Sequence, residues 1–391
     1  MLSVTAAMME PNRSYAVVMM DTIEWLLDSD PAIRWQVMRD LQGKPAQEVA
    51  VERANVETQG WGATLLSLQD PKGQWATDLQ PPSWPDGELP AVTTRSLLRE
   101  LHSVSLDEMA GFLEIDTATL RDFEEGREQP GDERLHTYGS VLRWFRNAIG
   151  TLKPEWISTT WTLSLLRDMG LDPVSRSARR AVALVRENSR WDHDGQAYFD
   201  GEVEPCINGR TVAIGSYFGE NVDGIVKRLL GEQLEDGGWN CEAERGSVRG
   251  SFNSTIEVLE GLLEYERAQG TSPDVAQARQ RGEDYLLKRS LLRRLSTGEI
   301  IDTAWTKFSY PPRWHYDVLR GLDYLRSTGV VPDDRAGEAI ELVRTKRTAD
   351  GRWLLENTHP GRVHFAMDEG DGKPSRWNTL RALRVLAWAG D

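Results

Sequence analysis

The residues best able to do chemistry are Cys206, Cys241, His315 and Asp317. Two thiols and an imidazole are donors that suit zinc, and Asp317 or Glu242 could complete a shell or hold a metal-bound water. His315 and Asp317 are also the types needed for acid–base work. The plain alternative is two buried structural cysteines and a hydrogen-bonded histidine, because no CxxC or HxxxH spacing groups them locally. A second set is cationic: Arg210, Arg245, Arg249, Arg313 and Arg376. Planar guanidinium groups can clamp a carboxylate or phosphate, or pair with the nearby Glu242, Glu244 and Asp317. Trp156, Trp161, Trp305, Trp314 and Trp377 could line the mouth of an apolar pocket or pack in the core. From these sets the expected ligand contacts are Trp161, Arg210, Arg313, Trp314 and Trp377. The expected metal ligands are Cys206, Cys241 and His315, with His315 and Asp317 as catalytic candidates.

Helices must carry these residues, because the apolar spacing is helical throughout and strand signals are scarce. Tyr15 to Leu41 is broken at Asp30-Pro31, where proline suits a first turn. Beyond it, two kinds of helix alternate. One is charged on one side: Ala178 to Glu187, Val222 to Gln233, Asp274 to Lys288 and Ala336 to Arg347. The other is nearly apolar and starts at a small polar residue: Thr159–Leu166, Thr211–Phe218, Ser254–Leu263, Asp317–Leu325 and Asn378–Leu386. An all-round apolar helix must be buried, and a one-faced helix can cover it. Five or six such pairs give either an open solenoid or a closed α/α toroid around a central cavity. If the apolar helices run parallel, their N-termini and the candidate residues share one rim, where free N–H groups favour anions.

Three turns punctuate the pattern: Gln69-Asp70-Pro71-Lys72-Gly73-Gln74-Trp75, Gln233-Leu234-Glu235-Asp236-Gly237-Gly238-Trp239 and Arg347-Thr348-Ala349-Asp350-Gly351-Arg352-Trp353. They resemble the Gln-Trp repeats of squalene and hopene cyclases, which also occur in protein prenyltransferase β-subunits. The resemblance implies an α/α toroid, and a lipophilic, isoprenoid-like small molecule as ligand or substrate. It also implies zinc at the rim, with Cys241 and His315 as ligands by position and Cys206 as a third. The cyclase Asp-x-Asp-Asp acid is missing; Asp368-Glu369-Gly370-Asp371 lacks adjacent carboxylates, and there is no Asp-Asp-x-x-Asp. Asn253 stands where a histidine would have strengthened the metal site.

One step of the repeat is too long. Trp191, Trp239 and Trp353 precede Thr211, Thr255 and Thr379 by 16 to 26 residues, but Trp75 precedes Thr160 by 85. The surplus, residues 91–149, interrupts a toroid made of 1–90 and 150–391. It reads as helices over Ser96–Leu101, from the Ser105-Leu106-Asp107-Glu108 capping box to Leu113, over Thr117–Glu125 and over Glu133–Phe145. This resembles the phage-repressor (Xre-like) helix-turn-helix, whose third helix enters the major groove. The resemblance makes Thr117, Ala118, Thr119 and Arg121 the base-reading positions, of which Thr117, Thr119 and Arg121 are the expected DNA contacts. It also implies a homodimer. Charge argues for a protein partner or a structural role instead: 91–149 holds seven Arg and no Lys against eleven Asp and Glu.

The chain of 391 residues carries a net charge of −15, which disfavours a surface made wholly for nucleic acid or anionic membrane. Two cysteines make no disulfide framework, so a reducing cytoplasm is expected. No signal peptide or membrane span is expected. Three readings stay open, one of them a scaffold whose cavity is filled by its own side chains. The toroid could sense a ligand and signal through its insert to DNA or a protein. It could instead be a metal-dependent or acid–base enzyme on a lipophilic substrate.

Overall fold

A computed structural model describes residues 11–76, 92, 95, 96, 99, 106–128, 131, 134, 137–139, 151, 152, 156–191 and 195–391. Among these the chain is all-α, with four isolated antiparallel bridges and no strand. No helix is long and apolar enough to cross a membrane. The N-terminal part holds α1 (Pro11–Leu27), α2 (Pro31–Asp40), α3 (Ala46–Thr58) and α4 (Gly60–Ser67). Asp30 caps α2 by accepting from the N–H of Ala32 at 2.8 Å and also holds the N–H of Trp61 at 2.7 Å. Within the surplus segment, the helices whose bounds fall among the described residues are α5 (Leu106–Leu113) and α6 (Thr117–Glu124). Then follow α7 (Thr159–Asp168), α8 (Arg176–Asn188), α9 (Pro205–Phe218), α10 (Asp223–Gly231), α11 (Phe252–Gln269) and α12 (Pro273–Leu287). The last three are α13 (Val318–Ser327), α14 (Gly337–Thr345) and α15 (Arg376–Trp388).

Two kinds of helix do alternate. In α7, α9, α11 and α15 nearly every early residue is buried, whereas α8, α10, α12 and α14 bury one stripe. The buried helices touch in sequence: α9 packs on α7 and α11, α15 on α13, and α15 also on α2. Arg320 of α13 spans to Glu257 and Glu260 of α11 at 2.9 and 2.7 Å. The end of the chain thus meets its beginning: Arg384 bonds Gln36 at 2.7 Å and pairs with Asp40, and Trp377 stacks on Trp61.

The three Trp turns are built alike. The indoles of Trp75, Trp239 and Trp353 each donate to a carbonyl ten residues earlier, on Leu65, Leu229 and Val343, at 2.7 Å. The side-chain amides of Gln69 and Gln233 each bridge their own turn to the next outer helix, at Ala181 and Ala278. Thr255 and Thr379 accept from the N–H of Trp239 and Trp353 at 3.0 Å, so these threonines anchor the turns. Thr211 and Thr160 do not: they donate to Ile207 and Thr151.

Several boundaries differ from the sequence reading. Helix α9 starts at Pro205 rather than Thr211, so Cys206 and Arg210 lie within it and not in the turn before. Proline at the first helical position is favourable because its missing N–H would be unpaired anyway. Helices α3 and α4 have no counterpart in the sequence reading. The limits of the surplus segment, and most of its expected helices over 96–101 and 133–145, fall outside the described residues.

Between them, α5 and α6 have their own core of Met109, Ala110, Leu113, Leu120 and Phe123, with Tyr138. Glu114 makes the turn with φ +52°, and Asp116 caps α6 by accepting from the N–H of Ala118 and Thr119 at 2.9 Å. The large hydrophobic cluster, from Leu26 to Leu386, includes none of these residues.

Candidate functional site

The buried helices α2, α7, α9, α11, α13 and α15 all supply side chains to one cavity of about 660 Å³. Its lining includes nine arginines against five carboxylates, in a chain whose net charge is −15. Arg39, Arg167, Arg267 and Arg326 pair within their own helices, and Arg210, Arg320, Arg381 and Arg384 pair across helices. Glu257 of α11, 2% exposed, takes both Arg210 of α9 and Arg320 of α13. Burial would raise the Glu260 carboxyl, but Arg320 beside it holds it down to about 2. Arg53 lacks a carboxylate and bonds the Gly170 carbonyl and the Tyr217 hydroxyl at 2.8 and 3.0 Å.

Of the five expected ligand contacts, four are buried together. Arg210 is 5% exposed and Trp377 2%, and both line the cavity. Trp161 lies under the Arg210 guanidinium at 5.3 Å and meets Trp156 edge-on at 5.0 Å; Trp156 in turn lies under Arg313 at 4.7 Å. Trp314 stands apart, 41% exposed and stacked on His315 at 3.7 Å. Of the remaining arginines named from sequence, Arg245 pairs with Glu242 at the surface, Arg249 is exposed, and Arg376 donates to the Trp25 carbonyl.

Tyr310 was not among the expected contacts. It stacks flat on Trp377 at 4.3 Å and lines the cavity. Its position beside Pro311, Pro312 and Arg313 was the signal available in the sequence.

This corner of the cavity holds several buried donors without partners among the described residues. They are the Tyr310 hydroxyl, Arg210 Nε and the Trp377 indole nitrogen; the Trp161 indole, outside the cavity lining and under Arg210, is also unpartnered. A buried donor left unmade costs about 1–3 kcal/mol. Arg313 is 6% exposed, and among the described residues its side chain makes no ion pair or hydrogen bond, only the contact with the Trp156 ring. Burial first, opposed by Tyr310 and assisted by Arg210, lowers its guanidinium to about 9, still charged at neutral pH.

Two of the three expected metal ligands come together, and the third does not join them. Cys206 and Cys241 do meet, Sγ to Sγ 2.9 Å, with Glu204 rather than His315 as their neighbour. Both cysteines are free and half-buried, and the hydrogen bond to Cys241, with burial, pushes the Cys206 thiol well up. His315 instead lies between the rings of Trp314 and His359. Asn253 accepts from the N–H of Tyr316 at 2.8 Å. His315 is thus outside the cluster, whose two thiols and one carboxylate are the number of protein donors an open zinc site uses.

Asp317 is 1% exposed and fully occupied as the cap of α13. It accepts from the Arg320 N–H at 2.7 Å and from the Ser309 hydroxyl at 2.9 Å. His359 approaches the same Ser309 oxygen at 3.2 Å. With Ser309 donating to Asp317, its oxygen accepts from His359.

In the surplus segment, Thr119 spends its hydroxyl on Asp116 at 2.8 Å, whereas Thr117 is half-buried and Arg121 exposed on the same helix. Arg127 is neutralised by Asp122 and Glu125. The far end of α6 is fixed by buried Glu124, which accepts from Arg99 at 2.7 Å and from Tyr138 at 3.1 Å.

No known protein-family model matches this chain, and no curated protein matches it either.

Proposed function

We propose that the chain is a ligand-responsive α/α toroid, similar to the squalene/hopene cyclases and prenyltransferase β-subunits, with a helix-turn-helix insert at 91–149 that reports occupancy to DNA or a protein partner. The observation that carries this reading is the 660 Å³ cavity, to which six successive buried helices contribute. The contact between α15 and α2 supports closure of the ring. The separate core of α5 and α6 supports an insert that folds on its own account.

The lining favours a polar, charged ligand over the purely lipophilic one implied by the resemblance. A wholly apolar guest would strip water from a lining of nine arginines and five carboxylates, a cost that their ion pairs only partly offset. The enzyme reading has less support: Asp317 is committed to its cap, and His315 to a stack of rings. Contact with DNA through α6 would rest on Thr117 and Arg121, since Thr119 is held by Asp116.

The test is hydrogen exchange on the full chain, with and without the small-molecule fraction of a cell extract. Slower exchange at 106–113 and 117–124 is expected in the wild type and not in Leu263→Trp, which fills the cavity. Unchanged exchange in both proteins would end the relay reading.

A further inference from the structure

The chain has two cysteines, and the fold brings both to one place from separate elements. Cys206 lies in the first turn of α9, and Cys241 opens a single turn, Cys241–Arg245, behind Trp239. Glu204 is the third member. Its carboxylate and the two sulfurs lie within 4.8 Å of one another, and all three residues are half-buried rather than sealed from solvent. Glu204 stands at the N-cap of α9, yet its side chain takes no helix N–H. Among the described residues that carboxylate makes no ion pair, and its one hydrogen bond comes from the Cys206 thiol at 3.5 Å. The backbone around the donors is held: the Glu204 N–H donates to Glu202 at 2.7 Å, and the Cys241 N–H to the Ser254 hydroxyl at 3.4 Å.

We propose that Glu204, Cys206 and Cys241 form a metal site for a thiophilic divalent cation of the zinc type, with its fourth position open to water. Two sulfur donors select such a cation over magnesium or calcium, and a carboxylate completes the three protein ligands of an open tetrahedral site. His315 takes no part, and the site stands whether or not the cavity holds a ligand. On binding, each thiol releases its proton to solvent and each sulfur forms one bond to the metal. Two sulfurs on tetrahedral zinc, each at about 2.3 Å, stand about 3.8 Å apart. The pair therefore opens from its 2.9 Å, which small rotations about χ1 supply in two half-buried residues. The Ser254 hydroxyl, 3.4 Å from Cys241 Sγ, then donates to the thiolate and orients it. Cys206 precedes Arg210 by four residues on α9, so the site stands one turn from a residue of the cavity lining.

The test is titration of the full chain, reduced and stripped of metal, with Co²⁺ as an optical probe. A thiolate-to-cobalt charge-transfer band and the visible bands of tetrahedral cobalt should saturate at about one ion per chain. Zn²⁺ should displace the cobalt, and a large excess of Mg²⁺ should not. Cys206→Ser and Cys241→Ser should each weaken the charge-transfer band and the affinity. Glu204→Gln keeps both thiolates, so it should keep that band and bind cobalt about tenfold or more weakly. His315→Gln, and Glu244→Gln at the surface, should titrate like wild type. Zn²⁺ should also raise the urea midpoint of the wild type and leave that of Cys206→Ser/Cys241→Ser unmoved, which separates lost binding from lost folding.

The site is overturned if cobalt gives no charge-transfer band, or if the band survives in Cys206→Ser/Cys241→Ser. Wild-type affinity in Glu204→Gln would overturn the three-donor set, and a loss of binding in His315→Gln would replace it with another. A reduced chain that binds no cobalt, yet loses both thiols to dilute hydrogen peroxide, would make the cysteines a redox pair instead of ligands.

Discussion

Arg313 and His359 show how two loops crowd charge against aromatic surface. His315 and His359 stack at 3.8 Å, beside Arg313 and Arg320. Burial first, then His359 and Arg320, lowers His315 to about 3; burial, Arg313 and Arg320 lower His359 to about 4. Both rings are therefore neutral at neutral pH. Below the ordinary histidine value of about 6.5, the unfolded chain binds protons that the folded chain refuses. Stability from this pair is full above that value and declines as pH falls through it toward about 4 and about 3. Urea midpoints measured from about pH 7 to about pH 4.5 should fall, and less so in His315→Gln/His359→Gln. Two rings titrating near the free value by NMR would refute this. The residue types of this neighbourhood were legible in the sequence, since Arg313 and Trp377 were chosen there. Their grouping was not: His315 and Cys241 were expected together, and the fold sends them to different partners.

Among the elements, α9 and α11 make the tightest pair because glycine faces backbone on both sides. A Cβ on Gly209 would lie 2.6 Å from the Glu257 backbone, and one on Gly261 would lie 2.3 Å from the Gly209 carbonyl oxygen. Gly209→Ala should therefore cost about 1–3 kcal/mol even though alanine is the better helix former. Gly224→Ala, where nothing lies within 4 Å, should leave α10 unchanged or add about 0.5 kcal/mol. Equal effects in urea unfolding would show that helix propensity, and not contact, decides both. The apolar period found most of the buried helices but misplaced their ends. It passed over Pro205 because it searched for a threonine start, and only Thr255 and Thr379 hold their tryptophans as that pattern required. Helix α3 escaped because it buries only Val49 and Val56, too little apolar surface to mark a period.

Over the whole molecule, the last helix meets the second through Arg384, 7% exposed, which pairs with Asp40 and bonds Gln36. Burial lowers the Arg384 guanidinium to about 10, with Asp40 opposing the shift. Asp40→Asn would leave that cation buried and half-satisfied, and should cost about 1–3 kcal/mol, given that Asp40 itself is partly exposed. An unchanged urea midpoint would show that the apolar contacts of α15 suffice without the pair. The sequence by itself determined the all-α class, the alternation of two helix kinds, the Trp turns and the Asp116 cap. Each of these is encoded within one or two turns of chain, where spacing and side-chain hydrogen bonding act directly. Only the tertiary structure decided that arginines from separate helices converge on one cavity in an acidic chain. It alone left Arg313 without a carboxylate partner among the described residues, because burial and pairing depend on residues scores of positions apart.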